Sequence, residues 1–382
     1  MTISFARGVP APECLPVEEV ADCARAAIER DGRTILSYGS SGGYAPLRGW
    51  IAERHGVEPG RVLVTNGSLQ GFVFLAQHLF GSGGGGRVLV EAPTYDRPLK
   101  ILAALGVEVE ALSMDEEGLD PDALAAALGS GPKPAFLYTI PTFQNPTGRT
   151  LSAERRRRVV ELAREHGLLV LEDDPYSLVR YEGEPSPSLH ELDGGERVAY
   201  SSSFSKTIAP GTRVGYFVLP ATLEADLEAL AVSTYITPAL LSQATVYEFL
   251  ARGNLEPNVE RVRRLLGARR DAMLAALERE LPEDGDWSRP EGGYFVWLEL
   301  PGGASAAELL ARAEAVGVTF VPGTDFYPGA RGGASSARLA FSFVSPEEID
   351  EGVSRLAELV RDGAGGGRPA TAAGLRAGRS PG

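Results

Sequence analysis

The sequence of 382 residues predicts an α/β protein, with a large domain on a mostly parallel central sheet covered by helices and a smaller α+β domain at the C-terminal end. Three observations predict it. From residue 61 to 220, short apolar runs alternate with helical patterns, as expected of strands buried on both faces and joined by crossover helices. Beyond about residue 260 the pattern changes to one long helix followed by a few strands and shorter helices. The chain is also long enough to give two domains a core each.

In chain order, residues 1–35 are expected to pack on the small domain or on a partner subunit, and 36–265 to form the large domain. There "RVLVTNG" reads as a strand leading into the helix "SLQGFVFLAQHLF". "RVLVEAP" precedes the helix "DRPLKILAALG", and "PAFLYTIP" precedes "SAERRRRVVELAREHG". "LLVLEDDPY", "RVAYSSSFSK" and "RVGYFVLP" complete the sheet. The small domain, 266–362, takes in most of a bridging helix, "GGYFVWLELP", "VTFVPG", "RLAFSF" and a last helix. The Gly-, Pro- and Arg-rich segment 363–382 is expected to be a disordered tail. "GSGGGG" (81–86) lacks the Gly-Lys-Ser/Thr of a phosphate loop and reads as a connection.

A formal net charge of −14 argues against a general nucleic-acid or anionic-membrane binder. The arginines of "ERRRRVVELAREHG" (154–167) read as the solvated face of a helix. Two cysteines, Cys14 and Cys23, are too few for a disulfide framework or a zinc site, and no metal is expected. Neither an export signal nor ~20 consecutive apolar residues is visible, so the expected location is the cytoplasm.

Only three of the 37 basic residues are lysines, Lys100, Lys133 and Lys206. Arginine replaces lysine wherever a positive charge is enough, but not where a neutral primary amine must add to a carbonyl. Lys206, in "SSSFSKTIAPGTRVGY", therefore stands out. Ser68, Tyr95, Asn145, Asp173 and Ser203 each follow an apolar run, which places them at strand carboxyl ends, where ligands of such sheets gather. An amine, an acid, a phenol and an amide at neighbouring strand ends suit pyridoxal 5'-phosphate (PLP), a cofactor that needs to be bound, oriented and polarised.

The sequence resembles the fold type I PLP-dependent aminotransferases of class I/II, most of all the 2-aminoadipate aminotransferase subgroup, which also supplies the aminotransferase-like domain of MocR-type regulators. The motifs are "ISFARGVPAPE", "YGSSGGYAPLR", "VTNGSLQG", "VEAPTY", "PTFQNPTG", "LEDDPY", "SFSKTIAPGTRVGY" and "RLAFSF", in the family's order, over about residues 3 to 362. The resemblance implies that Lys206 binds PLP covalently and then shuttles the substrate's α-proton. Asp173, three residues before Tyr176, would face the pyridine nitrogen, with Asp174 as its competitor. Tyr176 and Asn145 would bond the phenolic oxygen. The phosphate would rest on the amides of Gly67, Ser68 and Leu69, aided by Ser203, Ser205 and Arg213. Tyr95 would stack on the ring, and Tyr38 would reach the neighbouring subunit's phosphate, implying a homodimer. Arg338, with Asn145 and the backbone of Gly8, would bind the substrate α-carboxylate.

Two departures stand out. Leu69 occupies a position where the subgroup often has glutamine, leaving only a main-chain contact. The resemblance begins almost at Met1, so the regulators' DNA-binding module is not expected. The implied activity is exchange of an amino group between an L-α-amino acid and a 2-oxo acid by a ping-pong cycle. The same residues also suit a PLP-dependent lyase or decarboxylase, and the fold could serve as a PLP-binding sensor. The side-chain pocket is expected from Ala11–Leu15, Ser40–Tyr44 and the region of Tyr235, with Arg7 and Arg48 within reach. Those segments suggest broad acceptance of apolar or aromatic amino acids, with 2-aminoadipate as the alternative.

Overall fold

The computed structural model describes residues 2–365, apart from 82, 84 and 282–284. Its centre is a sheet of seven strands: β1 (Val62–Thr65), β2 (Arg87–Glu91), β3 (Glu108–Leu112), β4 (Phe136–Thr139), β5 (Leu169–Asp173), β6 (Val198–Ser203) and β7 (Gly215–Val218). Their spatial order is β1-β7-β6-β5-β4-β2-β3. Strand β7 runs antiparallel to both neighbours, and every other pairing is parallel.

The alternation of side chains along each strand builds two cores. Val88, Val90, Phe136 and Tyr138 point to one face, beneath the helix Ser68–Phe80, while Leu89, Leu137 and Val170 point to the other, beneath Ala153–His166. Both faces being dry explains why these strands read as unbroken apolar runs.

The helix Leu255–Glu280, 26 residues or about 39 Å long, leads into the second unit. That unit is a four-stranded antiparallel sheet of β8 (Asp286–Trp287), β9 (Phe295–Glu299), β10 (Val321–Pro322) and β11 (Ser336–Ala340), ordered β8-β9-β11-β10. The N-terminal segment divides between the units. Ile3–Ser4 pairs with Val318–Thr319 of the small unit, whereas Cys23, Ala27 and Ile35 of the helix Val17–Ile35 sit in a core shared with the large one. The last helix, Pro346–Gly365, runs three residues into the segment expected to be a disordered tail, whose remaining residues, 366–382, lie outside the described ones.

One sequence expectation fails inside the helix Ala153–His166. Arg157 and Arg158 are exposed, but Arg156 is 1 % exposed. It donates to the carbonyl oxygens of Leu151 (2.9 Å) and Pro141 (2.7 Å) and to the Thr142 hydroxyl (2.8 Å). Four consecutive helical residues span most of the circumference, and Arg156 falls on the stripe of Val159, Val160 and Ala163.

Candidate active site

The carboxyl ends of β1, β2, β4, β5 and β6 form one edge of the large sheet, and because β7 is reversed, the segment entering it lies at the same edge. There a cavity of about 450 Å³ opens against the small unit. It is lined by Gly8, Gly67, Ser68, Leu69, Tyr95, Asn145, Asp173, Tyr176, Ser203, Ser205, Lys206, Arg213 and Arg338, which is every residue that the resemblance assigns to the cofactor or the α-carboxylate except Tyr38. Tyr38 is 80 % exposed on the outer surface.

At one end lies a cradle for an anion. The helix Ser68–Phe80 is capped by Gly67, with φ of +90°, and its N-terminal turn, Ser68 and Leu69, lines the cavity, while the Gly67 amide donates to the Thr65 carbonyl oxygen at 2.8 Å. A Cβ at Gly67 would collide with the Arg213 guanidinium, which lies over this turn and donates to the carbonyl oxygen of Asn66 at 3.0 Å. Ser203 and Ser205 add hydroxyls 2.8 Å apart.

In the middle of the edge, the two adjacent acids part. Asp173 lines the cavity, while the Asp174 carboxylate accepts from the Ser177 amide (2.9 Å) and the Tyr200 hydroxyl (2.8 Å) on the far side. Burial lifts Asp173 to about 6, against donors that hold it down: the Tyr138 hydroxyl at 2.8 Å and the Ser201 hydroxyl at 3.3 Å. Tyr138 was missed from the sequence. The available signal was a phenol in an apolar strand, which needs a polar partner when buried.

Lys206 has its amine 2.8 Å from the carbonyl oxygen of Gly8 and 5.0 Å from the Tyr294 ring centre. Burial brings it down to about 8, and the cations Arg338 and Arg213 push the same way. A Cβ at Gly8 would sit 2.6 Å from the Phe295 ring, so glycine lets this strand of backbone reach the lysine. Burial raises the Tyr176 and Tyr95 hydroxyls well out of the neutral range.

From β11, Arg338 enters the opposite end. It donates to Asn145 Oδ1 at 3.0 Å and to the Ala6 carbonyl at 2.8 Å, with its guanidinium 4.4 Å from the Phe295 ring centre. Its Nε is buried without a hydrogen-bond partner among the described residues. Burial lowers it to about 10.

The side-chain wall differs from expectation. Val9, Ile140, Phe295, Asp96, Arg97 and Pro98 line the cavity, whereas Ala11–Leu15, Ser40–Tyr44 and Tyr235 do not. Arg7 lies over Phe343 at 5.0 Å, and Arg48 is committed to the Val62 carbonyl at 2.8 Å. Sequence distance misled here, because the wall comes from the turn after β2 and from the small unit.

The donor set therefore fits PLP: an anion cradle, a carboxylate in mid-site, an amine of lowered basicity, and a partly unpartnered guanidinium for a second anion. Comparison with known proteins agrees. The family model for aminotransferase class I and II matches residues 10–356. The chain belongs to this aminotransferase family. It is 41 % identical to the 2-aminoadipate transaminase of Thermus thermophilus over 363 residues, 94 % of this chain and 90 % of that one. It is 36 % identical to aromatic-amino-acid aminotransferase 1 of Thermococcus litoralis, with 94 % and 88 % covered. The solved structure of the T. thermophilus alpha-aminoadipate aminotransferase LysN, complexed with N-(5'-phosphopyridoxyl)-L-leucine, superposes with a TM-score of 0.89 at 39 % identity, over 94 % of this chain and 92 % of that one. The aminotransferase described here is thus a fold type I, PLP-dependent transaminase, which selects transamination from the PLP chemistries its sequence allows. Among its described residues no helix is long and apolar enough to cross a membrane.

Proposed function

We propose that this aminotransferase accepts L-α-amino acids with apolar or aromatic side chains and passes their amino group to a 2-oxo acid by a ping-pong cycle. The observation that carries the reading is that Lys206 and Arg338 open onto one cavity, whose wall at Val9, Ile140 and Phe295 is apolar. Bound PLP supplies an electron sink that acidifies the α-C–H bond.

The protein's own residues supply the rest. Lys206 would hold the cofactor, and with substrate bound its amine would take up and give back the α-proton; a value near 8 suits it to both directions near neutrality. Asp173 keeps the ring nitrogen protonated, with Tyr138 and Ser201 favouring its charged form. Tyr176 and Asn145 would bond the phenolic oxygen, and Tyr95 would cover the ring. Ser68 and Leu69 would offer amides to the phosphate, whereas the amide of Gly67, also expected to do so, donates to the Thr65 carbonyl oxygen at 2.8 Å; Ser203, Ser205 and Arg213 would complete the shell. Arg338 grips the α-carboxylate beside Asn145 and Gly8, fixing which face of the substrate meets Lys206.

We further propose a cytoplasmic homodimer, with residues 36–265 as the cofactor-binding domain and 266–362 as the small domain. Tyr38, Leu36 (68 % exposed) and Ile236 (63 %) form an outward apolar patch, joined where the Gly39 amide donates to Thr237 Oγ1 at 3.2 Å. Two buried free cysteines suit a reducing compartment.

Arg97 favours a second reading. Its side chain lines the cavity and among the described residues is tied only to Asp96, at 3.8 Å, leaving a cation for an acidic side chain such as that of 2-aminoadipate. Visible spectra of the PLP-loaded protein, taken before and after single amino acids without oxo acid, decide. Conversion by leucine and phenylalanine supports the first reading. Conversion by glutamate, aspartate or 2-aminoadipate alone overturns it.

A further inference from the structure

Glu91, at the carboxyl end of β2, is 2 % exposed and does not line the cavity. Among the described residues no lysine or arginine pairs with it, unlike the equally buried Glu172, which has Arg156 at 3.9 Å. Burying an unpaired carboxylate is costly unless hydrogen bonds replace its water, and an apolar side chain would fill the space without that cost. Glu91 does have the bonds. Its Oε1 accepts from the Ile140 amide at 2.8 Å and from Gln144 Nε2 at 3.1 Å, and its Oε2 accepts from the Thr139 hydroxyl at 2.8 Å.

Gln144 extends the link. Its Nε2 also donates to the carbonyl oxygen of Pro93 at 2.7 Å, and its Oε1 accepts from the Thr147 amide (2.9 Å) and hydroxyl (2.8 Å). Pro93 lies two residues before Tyr95, and Gln144 immediately precedes Asn145. One carboxylate and one amide thus tie together the end of β4, the turn that presents Tyr95 and the turn that presents Asn145. Asn145 in turn receives the bond from Arg338, so the link extends to the substrate end of the cavity.

We propose that Glu91 is a positioning residue that, through Gln144, fixes Tyr95 and Asn145 in register for the cofactor and the substrate carboxylate. This rests on the roles given above to Tyr95, Asn145 and Arg338. A brace of this kind acts as a unit, so its parts lose function together rather than in sum.

The test uses the full chain loaded with PLP. Glu91→Ala and Gln144→Leu should each weaken PLP binding and raise the amino-acid KM about tenfold, the scale of one lost buried hydrogen bond, with a smaller change in kcat. The double variant should be no worse than the poorer single one. Glu91→Gln, which keeps an acceptor toward Gln144, should return both values to within about twofold of wild type. Losses that multiply in the double variant, or a lower melting temperature with unchanged PLP affinity and KM, overturn the proposal. Should Glu91→Ala fail to fold, Gln144→Leu decides alone, since it leaves Glu91 its Thr139 and Ile140 donors; wild-type affinity and KM there reject the brace. A wild-type protein that captured no PLP would instead sink the underlying reading, and this one with it.

Discussion

The amine of Lys206 donates to the carbonyl oxygen of Gly8 across 2.8 Å, although the two lie 198 residues apart. Gly8 is held in place by the strand Ile3–Ser4, which pairs with the small unit, so the small unit helps to seat the reactive amine. In the role proposed for Lys206, the cofactor would have to win the amine from this contact.

Only the neutral amine adds to an aldehyde, and Lys206 is brought to about 8 from the 10.5 of an ordinary lysine. The rate of PLP capture, followed by stopped-flow absorbance, should therefore rise with pH and level off above about 8. A rate still climbing at pH 10 would contradict the burial argument. The stability of the cofactor-free protein gives the same sign. Between about pH 8 and 10.5 the unfolded lysine binds a proton that the folded one does not, so stability should rise with pH through that window, by ~3 kcal/mol at most. Lys206→Met should flatten this rise and abolish turnover while leaving non-covalent PLP binding.

Asp173 titrates near 6, and the Tyr138 hydroxyl at 2.8 Å favours its carboxylate. PLP affinity should fall as pH drops through about 6, because a protonated acid no longer favours the protonated ring. Tyr138→Phe removes a donor to the charged form, so the midpoint should move up. A midpoint that stays put or moves down would exclude Tyr138 from this role. Asp173→Asn, uncharged at every pH, should bind PLP more weakly, remove the fall in affinity near pH 6 and lose turnover on the order of 10²- to 10³-fold.

Arg338→Ala should leave PLP affinity near wild type but weaken amino-acid binding by roughly 2 to 5 kcal/mol, the cost of stripping a buried carboxylate of its partner. Arg338→Lys should recover little, since an ammonium cannot reproduce the planar fork. Spectral titration with leucine measures both, and unchanged substrate affinity in the alanine variant would place the carboxylate elsewhere.

Arg156 offers a test of stability rather than chemistry. Removing it strands the carbonyl of Leu151, takes from the Pro141 carbonyl one of its two donors (the Leu151 amide, at 2.8 Å, remains) and leaves Glu172 without its cation. Arg156→Ala should cost about 3 to 5 kcal/mol in urea unfolding. Arg157→Ala, on the exposed side of the same helix, should cost little.

These residues also show what a sequence can reveal. Strand ends were legible because apolar runs stop abruptly at polar groups: "LVLEDD" delivers Asp173 and "VAYSSS" delivers Ser203 to the same edge. Lys206 was legible because lysine is scarce. Arg156 was not, because a run of four arginines hides which one faces inward until the helix is packed. Nor was Tyr138, whose partner Asp173 lies on the adjacent strand, 35 residues later. Arg97 and Val9 reach the cavity through the turn after β2 and the N-terminal segment, a closeness that no spacing encodes.

Tyr38 lies outside its own chain's cavity, and its neighbours Leu36 and Ile236 are exposed. If these residues meet a second copy, sedimentation should give twice the chain mass, and Leu36→Asp with Ile236→Asp should give monomers that bind PLP poorly. A mixing experiment then asks whose site Tyr38 serves. Tyr38→Ala should weaken PLP binding, and Lys206→Ala should be inactive. In a mixed dimer, a Tyr38 that crosses the interface joins the intact Lys206 of the other chain and creates one complete site, while the second site carries both defects. Equal mixing after dissociation should thus restore about one quarter of wild-type activity at limiting PLP. If Tyr38 served its own chain, every site would keep a defect, and mixing would restore nothing.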